Sequence, residues 1–251
     1  MAVEFHEQPN HMIACKKNER KTEETASFLF ERERIKLQRS FSAMIKVVGP
    51  VCNLDCDYCY YLEKDALYSG TPFTVAAFGM REEMLEKVIR DYILSQPQEH
   101  IEFIWHGGEP TLLGLDYFRK ILSLQKKYGD GKVISNSLQT NGTLINDEWA
   151  AFLAANHFLC GLSIDGPEHL HNRHRCHPNG KGSWAEVVAC ARLFRKHGVE
   201  FNTMSVVNAS NSKEPVAVYD FLKALGSRFM QFTPIVERIS LDENAVLSLV
   251  D

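Results

Sequence analysis

No stretch of this sequence approaches the roughly 18 consecutive apolar residues of a membrane-spanning helix. Its opening, MAVEFHEQPNHMIACKKNER, has no apolar core of a secretory leader, so a cytoplasmic location without a membrane partner is expected. A basic excess is missing too. Lys and Arg total 28 against 32 Asp and Glu, a formal net charge of −4. Nucleic-acid arms and anionic-membrane binders need the opposite balance, so neither partner is expected. There is no repeat at solenoid period and no low-complexity tract. With 15 Gly and 9 Pro in 251 residues, collagenous and disordered classes are excluded. The seven Cys are odd in number and clustered, which argues against a disulfide framework and for reduced thiols at a metal site.

What is present is a chain with 45% hydrophobic residues, long enough to bury a core without staples. Residues 1–41 are crowded with charges of both signs and carry only a weak apolar stripe, which reads as a helical or disordered extension. From 42 to 240 the pattern is regular. Apolar, β-branched runs predict strands over 43–49, 100–108, 132–142, 158–167, 199–208 and 227–236. Between them, helical spacing and caps predict helices over 80–94, 115–129, 146–157, 183–198 and 213–226. Residues 241–251 read as the start of a further helix in a C-terminal region that is cut short. Strict βα alternation implies an α/β fold with a parallel sheet and right-handed crossovers, either doubly wound or curled into a barrel.

The unusual residues follow the ends of successive strands, which brings them to one rim of the sheet. After the first strand comes Cys52-Asn-Leu-Asp-Cys56-Asp-Tyr-Cys59. Three thiolates on one short loop suit a 4Fe–4S cluster with one iron left open, since such clusters are usually held by four Cys. Zinc prefers four closed ligands and is the alternative, while three unligated thiols would be exposed to oxidation. Gly107-Gly108-Glu109-Pro110 follows the second strand, where glycines permit close approach of the main chain and a carboxylate suits a cationic amine. An ordinary turn has the same sequence. Ser163-Ile-Asp165-Gly-Pro follows the fourth strand and reads equally as a strand-ending turn. HLHNRHR (169–175), with Cys176 and His177, reads as a polar loop of exposed histidines whose spacing fits no familiar zinc pattern. Cys160 and Cys190 fall in apolar patterns and are expected to be small buried hydrophobes; Cys15 is unassigned.

The C-x3-C-x-aromatic-C loop resembles the radical S-adenosylmethionine (radical SAM) superfamily, which implies a parallel (β/α)6 partial TIM barrel. The resemblance implies a 4Fe–4S cluster on Cys52, Cys56 and Cys59. It implies S-adenosylmethionine on the open iron, reduced to release a hydrogen-abstracting 5′-deoxyadenosyl radical. Tyr58 would then lie beside the adenine. Gly107, Gly108 and Glu109 would receive the ligand's amino group, and Ser163 and Arg175 would lie near its carboxylate.

NSLQTNGTLIND (136–147), FLCGLSIDGPEHLHN (158–172) and QFTPIVER (231–238) together look like anaerobic sulfatase-maturating enzymes. Those enzymes oxidise a Cys or Ser of a sulfatase to formylglycine. The resemblance implies a sulfatase polypeptide as substrate and an electron donor such as flavodoxin or ferredoxin. Gln139 and Val236 would face the cofactor and His106 would line the peptide groove. Members continue past this chain's last residue into a Cys-rich SPASM-type region with two auxiliary clusters. The proton-accepting Asp is expected there, so the catalytic base is not assigned within these residues. A different peptide-modifying activity, or a non-catalytic Fe–S or zinc scaffold, is the alternative function.

Overall fold

The computed structural model describes residues 39–61, 71–72 and 74–235. Most of the charged segment over 1–41, Cys15, Val236 and the helix start over 241–251 lie outside the described residues. The strands are β1 (Ala43–Lys46), β2 (His100–His106), β3 (Val133–Thr140), β4 (Leu159–Ser163), β5 (Glu200–Val207) and β6 (Met230–Pro234). They pair in chain order, every neighbour parallel. With β1 and β6 at its two ends the sheet stays open, so the α/β fold is a (β/α)6 partial barrel.

Seven α-helices are described: α1 (Val75–Phe78), α2 (Glu82–Ser95), α3 (Leu115–Tyr128), α4 (Asp147–Ala155), α5 (Glu168–His174), α6 (Trp184–His197) and α7 (Pro215–Leu225). Their apolar stripes cover one face of the sheet. Helix α2 buries Leu85, Ile89, Tyr92 and Ile93, and α3 buries Phe118, Ile121 and Leu124. These meet Phe103 and Trp105 of β2, whose rings stack with centroids 5.4 Å apart. Fully burying one such side chain is worth about 1.5–3 kcal/mol. The layer also holds a satisfied polar knot. Trp105 Nε1 and Gln125 Nε2 both donate to Asn136 Oδ1 at 2.8 Å, and Asn136 Nδ2 returns a bond to Gln125 Oε1 at 3.0 Å.

Alternate residues point to the other, concave face. In β3 the buried Asn136, Leu138 and Thr140 alternate with the more open Ser135, Ser137 and Gln139. Cys160 and Cys190 are buried in the apolar layer, as their sequence context suggests.

One expectation fails. The HLHNRHR stretch forms helix α5 rather than a polar loop, and His171 and His174 are buried. Pro167 caps its start, Glu168 occupies its first turn, and the basic residues fall in its last turn, as the helix dipole favours. Both imidazoles carry hydrogen bonds, His174 through Nδ1 to Asp57 alone, since its buried Nε2 has no partner among the described residues. His171 Nδ1 accepts from the Asp165 amide at 3.3 Å, with Ser183 Oγ on its other nitrogen at 2.9 Å.

Candidate active site

The ends of the six strands and the loops after them line a cavity of about 540 Å³. Its wall contains Cys52, Cys56, Tyr58, Cys59, His106, Gly107, Gly108, Gln139, Ser163 and Arg175. Residues that are widely separated in sequence therefore meet in one place.

The cysteine loop is held from two sides. On one, Asn141 Nδ2 donates to Asn53 Oδ1 at 2.9 Å and to Cys52 Sγ at 3.7 Å, and Asn53 Nδ2 donates to Thr143 Oγ1 at 2.8 Å. On the other, the Asp55 amide donates to the Cys176 carbonyl at 2.7 Å, and Asp57 holds His174 Nδ1 with both oxygens at 3.0 Å. Burial pushes the Cys52 thiol up to about 11, against the Leu54 amide that donates to it; burial pushes Cys56 up to about 12 although Arg175 opposes. Unligated, both sulfurs stay protonated at neutral pH, and a cationic metal centre would reverse this.

The glycine turn is shaped by contact. The Gly108 amide donates to the Gly49 carbonyl at 2.8 Å and the Glu109 amide to the Val51 carbonyl at 2.9 Å. A Cβ on Gly108 would lie 2.1 Å from the Val51 carbonyl oxygen, so no side chain fits. Gly107 has φ +140, a region that L side chains rarely adopt.

Glu109 does not line the cavity. Its carboxylate is fully buried and accepts from the Thr111 amide at 3.1 Å, Thr111 Oγ1 at 2.6 Å, Thr140 Oγ1 at 2.8 Å and the Asn141 amide at 2.7 Å. Burial raises its pKa, and these donors pull the other way. It joins the glycine turn to the end of β3.

Arg175 reaches the cavity with much of its donor fork already engaged. Nε and Nη2 donate to Asp165 at 2.8 and 3.2 Å. Asp165, fully buried, also accepts from the Val206 amide at 2.9 Å and from the Tyr58 hydroxyl. Burial drives the Asp165 carboxyl up, but the Arg175 charge outweighs it and holds the group below its ordinary value. The guanidinium also lies over the Tyr58 ring, 5.4 Å from the centroid. Asp165, which in sequence reads as a turn residue, is thus the hub under Tyr58 and Arg175. Asn141, legible only as half of an Asn-Gly turn, braces the cysteine loop. Neither role has a local sequence signal.

The Radical SAM superfamily model matches residues 46–222, which contain every wall residue named above. The chain belongs to the radical SAM superfamily. That family works with a 4Fe–4S cluster and S-adenosylmethionine. The chain is 48% identical over 196 residues to a serine-type anaerobic sulfatase-maturating enzyme of Bacteroides thetaiotaomicron, covering 78% of this chain and 46% of that protein. It is 41% identical over 193 residues to a cysteine-type enzyme of Clostridium perfringens, covering 76% and 50%. The structure of native anSMEcpe with bound AdoMet and Cp18Cys peptide superposes with a TM-score of 0.71 at 36% identity, over 81% of this chain and 53% of that one. The chain spans about half the length of these relatives.

The residues present suit the family's cofactors. Three sulfurs share the cavity wall, and Cys52 receives N–H bonds from Leu54, at 3.4 Å, and Asn141. Among the described residues, no three Cys, His, Asp or Glu converge as ligands of a single ion. A tetrahedral zinc, with Zn–S bonds of about 2.3 Å, draws its sulfurs to within roughly 4 Å of one another. A cluster gives each sulfur an iron of its own. No helix among the described residues is long and apolar enough to cross a membrane.

Proposed function

We propose that this chain is the radical-generating module of an anaerobic sulfatase-maturating enzyme. Cys52, Cys56 and Cys59 hold the 4Fe–4S cluster and leave one iron for S-adenosylmethionine. The observation that carries the reading is the meeting of three thiols, a glycine turn and an arginine around one cavity. When bound, the cofactor pair supplies one-electron cleavage of a sulfonium and with it a hydrogen-abstracting adenosyl fragment.

The chain's own residues supply orientation and shelter. The Gly107–Gly108 backbone meets the ligand's amino group, with Glu109 acting from behind as a brace. Ser163 and the unspent donors of Arg175 meet its carboxylate. Tyr58, its hydroxyl tied to Asp165, offers a ring face to the adenosyl part, with Gln139 and Val236 beside it. His106 lines the path of the peptide. The substrate is a Cys or Ser of a sulfatase polypeptide, and reducing electrons come from a donor such as flavodoxin or ferredoxin in the cytoplasm. Residues 42–240 form the working barrel of this proposal.

The test is anaerobic reconstitution of the full chain with iron and sulfide, followed by a strong reductant and S-adenosylmethionine. Wild type is expected to hold about four irons per chain and to release 5′-deoxyadenosine. Cys52→Ala, Cys56→Ala and Cys59→Ala should each abolish that release. A colourless, zinc-loaded wild type, or persistent release from any of the three variants, overturns the assignment.

A further inference from the structure

Three neighbouring strands carry Lys46, His106 and Gln139 at one level of the sheet. Lys46 pairs with His106, and Gln139 follows directly on the Trp105–Leu138 pair. His106 and Gln139 line the cavity. Lys46 is held beside them with unusual definition for a lysine. Its Nζ donates to Tyr60 Oη at 2.7 Å and lies 5.3 and 5.4 Å from the ring centroids of Tyr60 and Tyr61. Both rings attract the cation.

The ammonium lies 3.5 Å from His106 Nδ1, and the Gly107 amide points at the same nitrogen from 2.6 Å. Neither group can accept a hydrogen bond. Among the described residues, the sole acceptor near Nδ1 is the Gly107 carbonyl at 3.1 Å. Two donors, one charged, therefore compete with one acceptor, and Nδ1 is left as the lone-pair nitrogen. The ring proton then sits on Nε2.

We propose that Lys46 is a positioning residue that fixes the tautomer of His106 in the cavity wall. The Lys46 ammonium and the Gly107 amide face Nδ1, which leaves the ring proton on Nε2. Its consequence is specific. His106 then offers an N–H to a carbonyl or hydroxyl oxygen of the molecule that occupies the cavity. His106 is accordingly a neutral donor rather than a base. Burial and the Lys46 charge both act in that direction, lowering its pKa.

The inference rests on the reading of this cavity as the reactant site, but its test does not use the cofactors. The full chain, metal-free and labelled with ¹⁵N-histidine, is studied by nitrogen-proton correlation at pH 8, where imidazole is neutral. The His106 signals among the ten histidines are found by difference against His106→Gln. Wild type is expected to show a pyridine-type Nδ1 and a pyrrole-type Nε2. Lys46→Met should lose that purity and populate Nδ1–H facing the Gly107 carbonyl, and Lys46→Arg should restore it. A wild-type Nδ1–H tautomer overturns the proposal without any variant. So does an unchanged tautomer in Lys46→Met or, should that variant not fold, in Lys46→Gln. A failed 5′-deoxyadenosine assay would instead count against the cofactor reading and leave this spectrum as it is.

Discussion

Replacing Arg175 with Met tests the balance at the centre of the site. Asp165 is fully buried and its main compensation is the two-bonded guanidinium. Removing one member of such a pair costs about 3–5 kcal/mol, because a charge is left buried without a partner. Asp165 would keep the Val206 amide at 2.9 Å and the Tyr58 hydroxyl, which favours the lower end. A loss of about 3 kcal/mol lowers the folding constant roughly 150-fold, against a typical total of about 5–15 kcal/mol. At about 2–4 °C per kcal/mol for a chain of this size, the midpoint of melting should fall by about 6–12 °C. Urea unfolding of the metal-free chain, followed by far-ultraviolet circular dichroism, reads the effect directly. The sign with pH is also fixed. Without Arg175 the Asp165 carboxyl rises above its unfolded value, so folded Asp165 binds a proton more readily and the deficit relative to wild type narrows as pH falls from 8 toward 5. The double variant Asp165→Asn/Arg175→Met should regain at least half the loss, since no uncompensated charge remains. A single variant within 1 kcal/mol of wild type, or a double variant no better than the single, refutes the reasoning. Weak binding of S-adenosylmethionine by an Arg175 variant reports a lost contact only after this folding deficit has been measured.

Three further outcomes follow from the same geometry. Gly108→Ala must part the turns after β1 and β2, since its Cβ would meet the Val51 oxygen at 2.1 Å and the Pro50 oxygen at 2.6 Å; a loss of about 3 kcal/mol is expected, and an unchanged melting midpoint contradicts it. Glu109→Gln sets an amide NH₂ against groups that only donate to the carboxylate, so about 2 kcal/mol of stability should disappear. If Glu109 is a brace, the folded variant keeps its affinity for S-adenosylmethionine within a few-fold, whereas a loss above tenfold by calorimetry shows direct contact with the ligand. His171, which burial and then the Arg175 charge push down to about 3 from an ordinary 6.5, must gain a proton on unfolding below pH 6.5. Its contribution is whole above 6.5 and is lost as pH falls toward 3, so by pH 5 about 2 kcal/mol has gone. His171→Gln should flatten the fall between pH 7 and 5, and an unaltered slope rejects the assignment.

The fold was legible because its signals are local. Alternating strand and helix patterns announced six parallel strands, and each predicted strand contains an observed one. Boundaries shrank because residues such as Val47–Gly49 and Gly107–Gly108 serve turns, not ladders. Helix α5 went unread for a different reason. A core-facing stripe is normally recognised by apolar spacing, but here His171 and His174 flank the inward side with only Leu170 as an apolar marker. Burial of a histidine depends on a partner such as Ser183, which lies 12 residues away and has no signature in the window.

The site divides along the same line. The three cysteines stand out because their chemistry is rare at that spacing, whereas the glycine turn and Arg175 were placed through the family resemblance; all of them line the one cavity. What anchors them was not found, because an anchor is defined by pairing across the sheet. The 165–176 segment illustrates this most fully. Asp165 holds Tyr58 and Arg175, His174 holds Asp57, and the Cys176 carbonyl holds the Asp55 amide. One stretch after β4 thus fixes both the loop that bears the sulfurs and the guanidinium beside it. Glu109 does the equivalent from β2, tying the glycine turn to the end of β3 through Thr140 and Asn141. Glu109, which the resemblance assigns to ligand contact, is fully buried behind the glycine turn, and Asp165, which reads in sequence as a turn residue, engages Nε and Nη2 of Arg175.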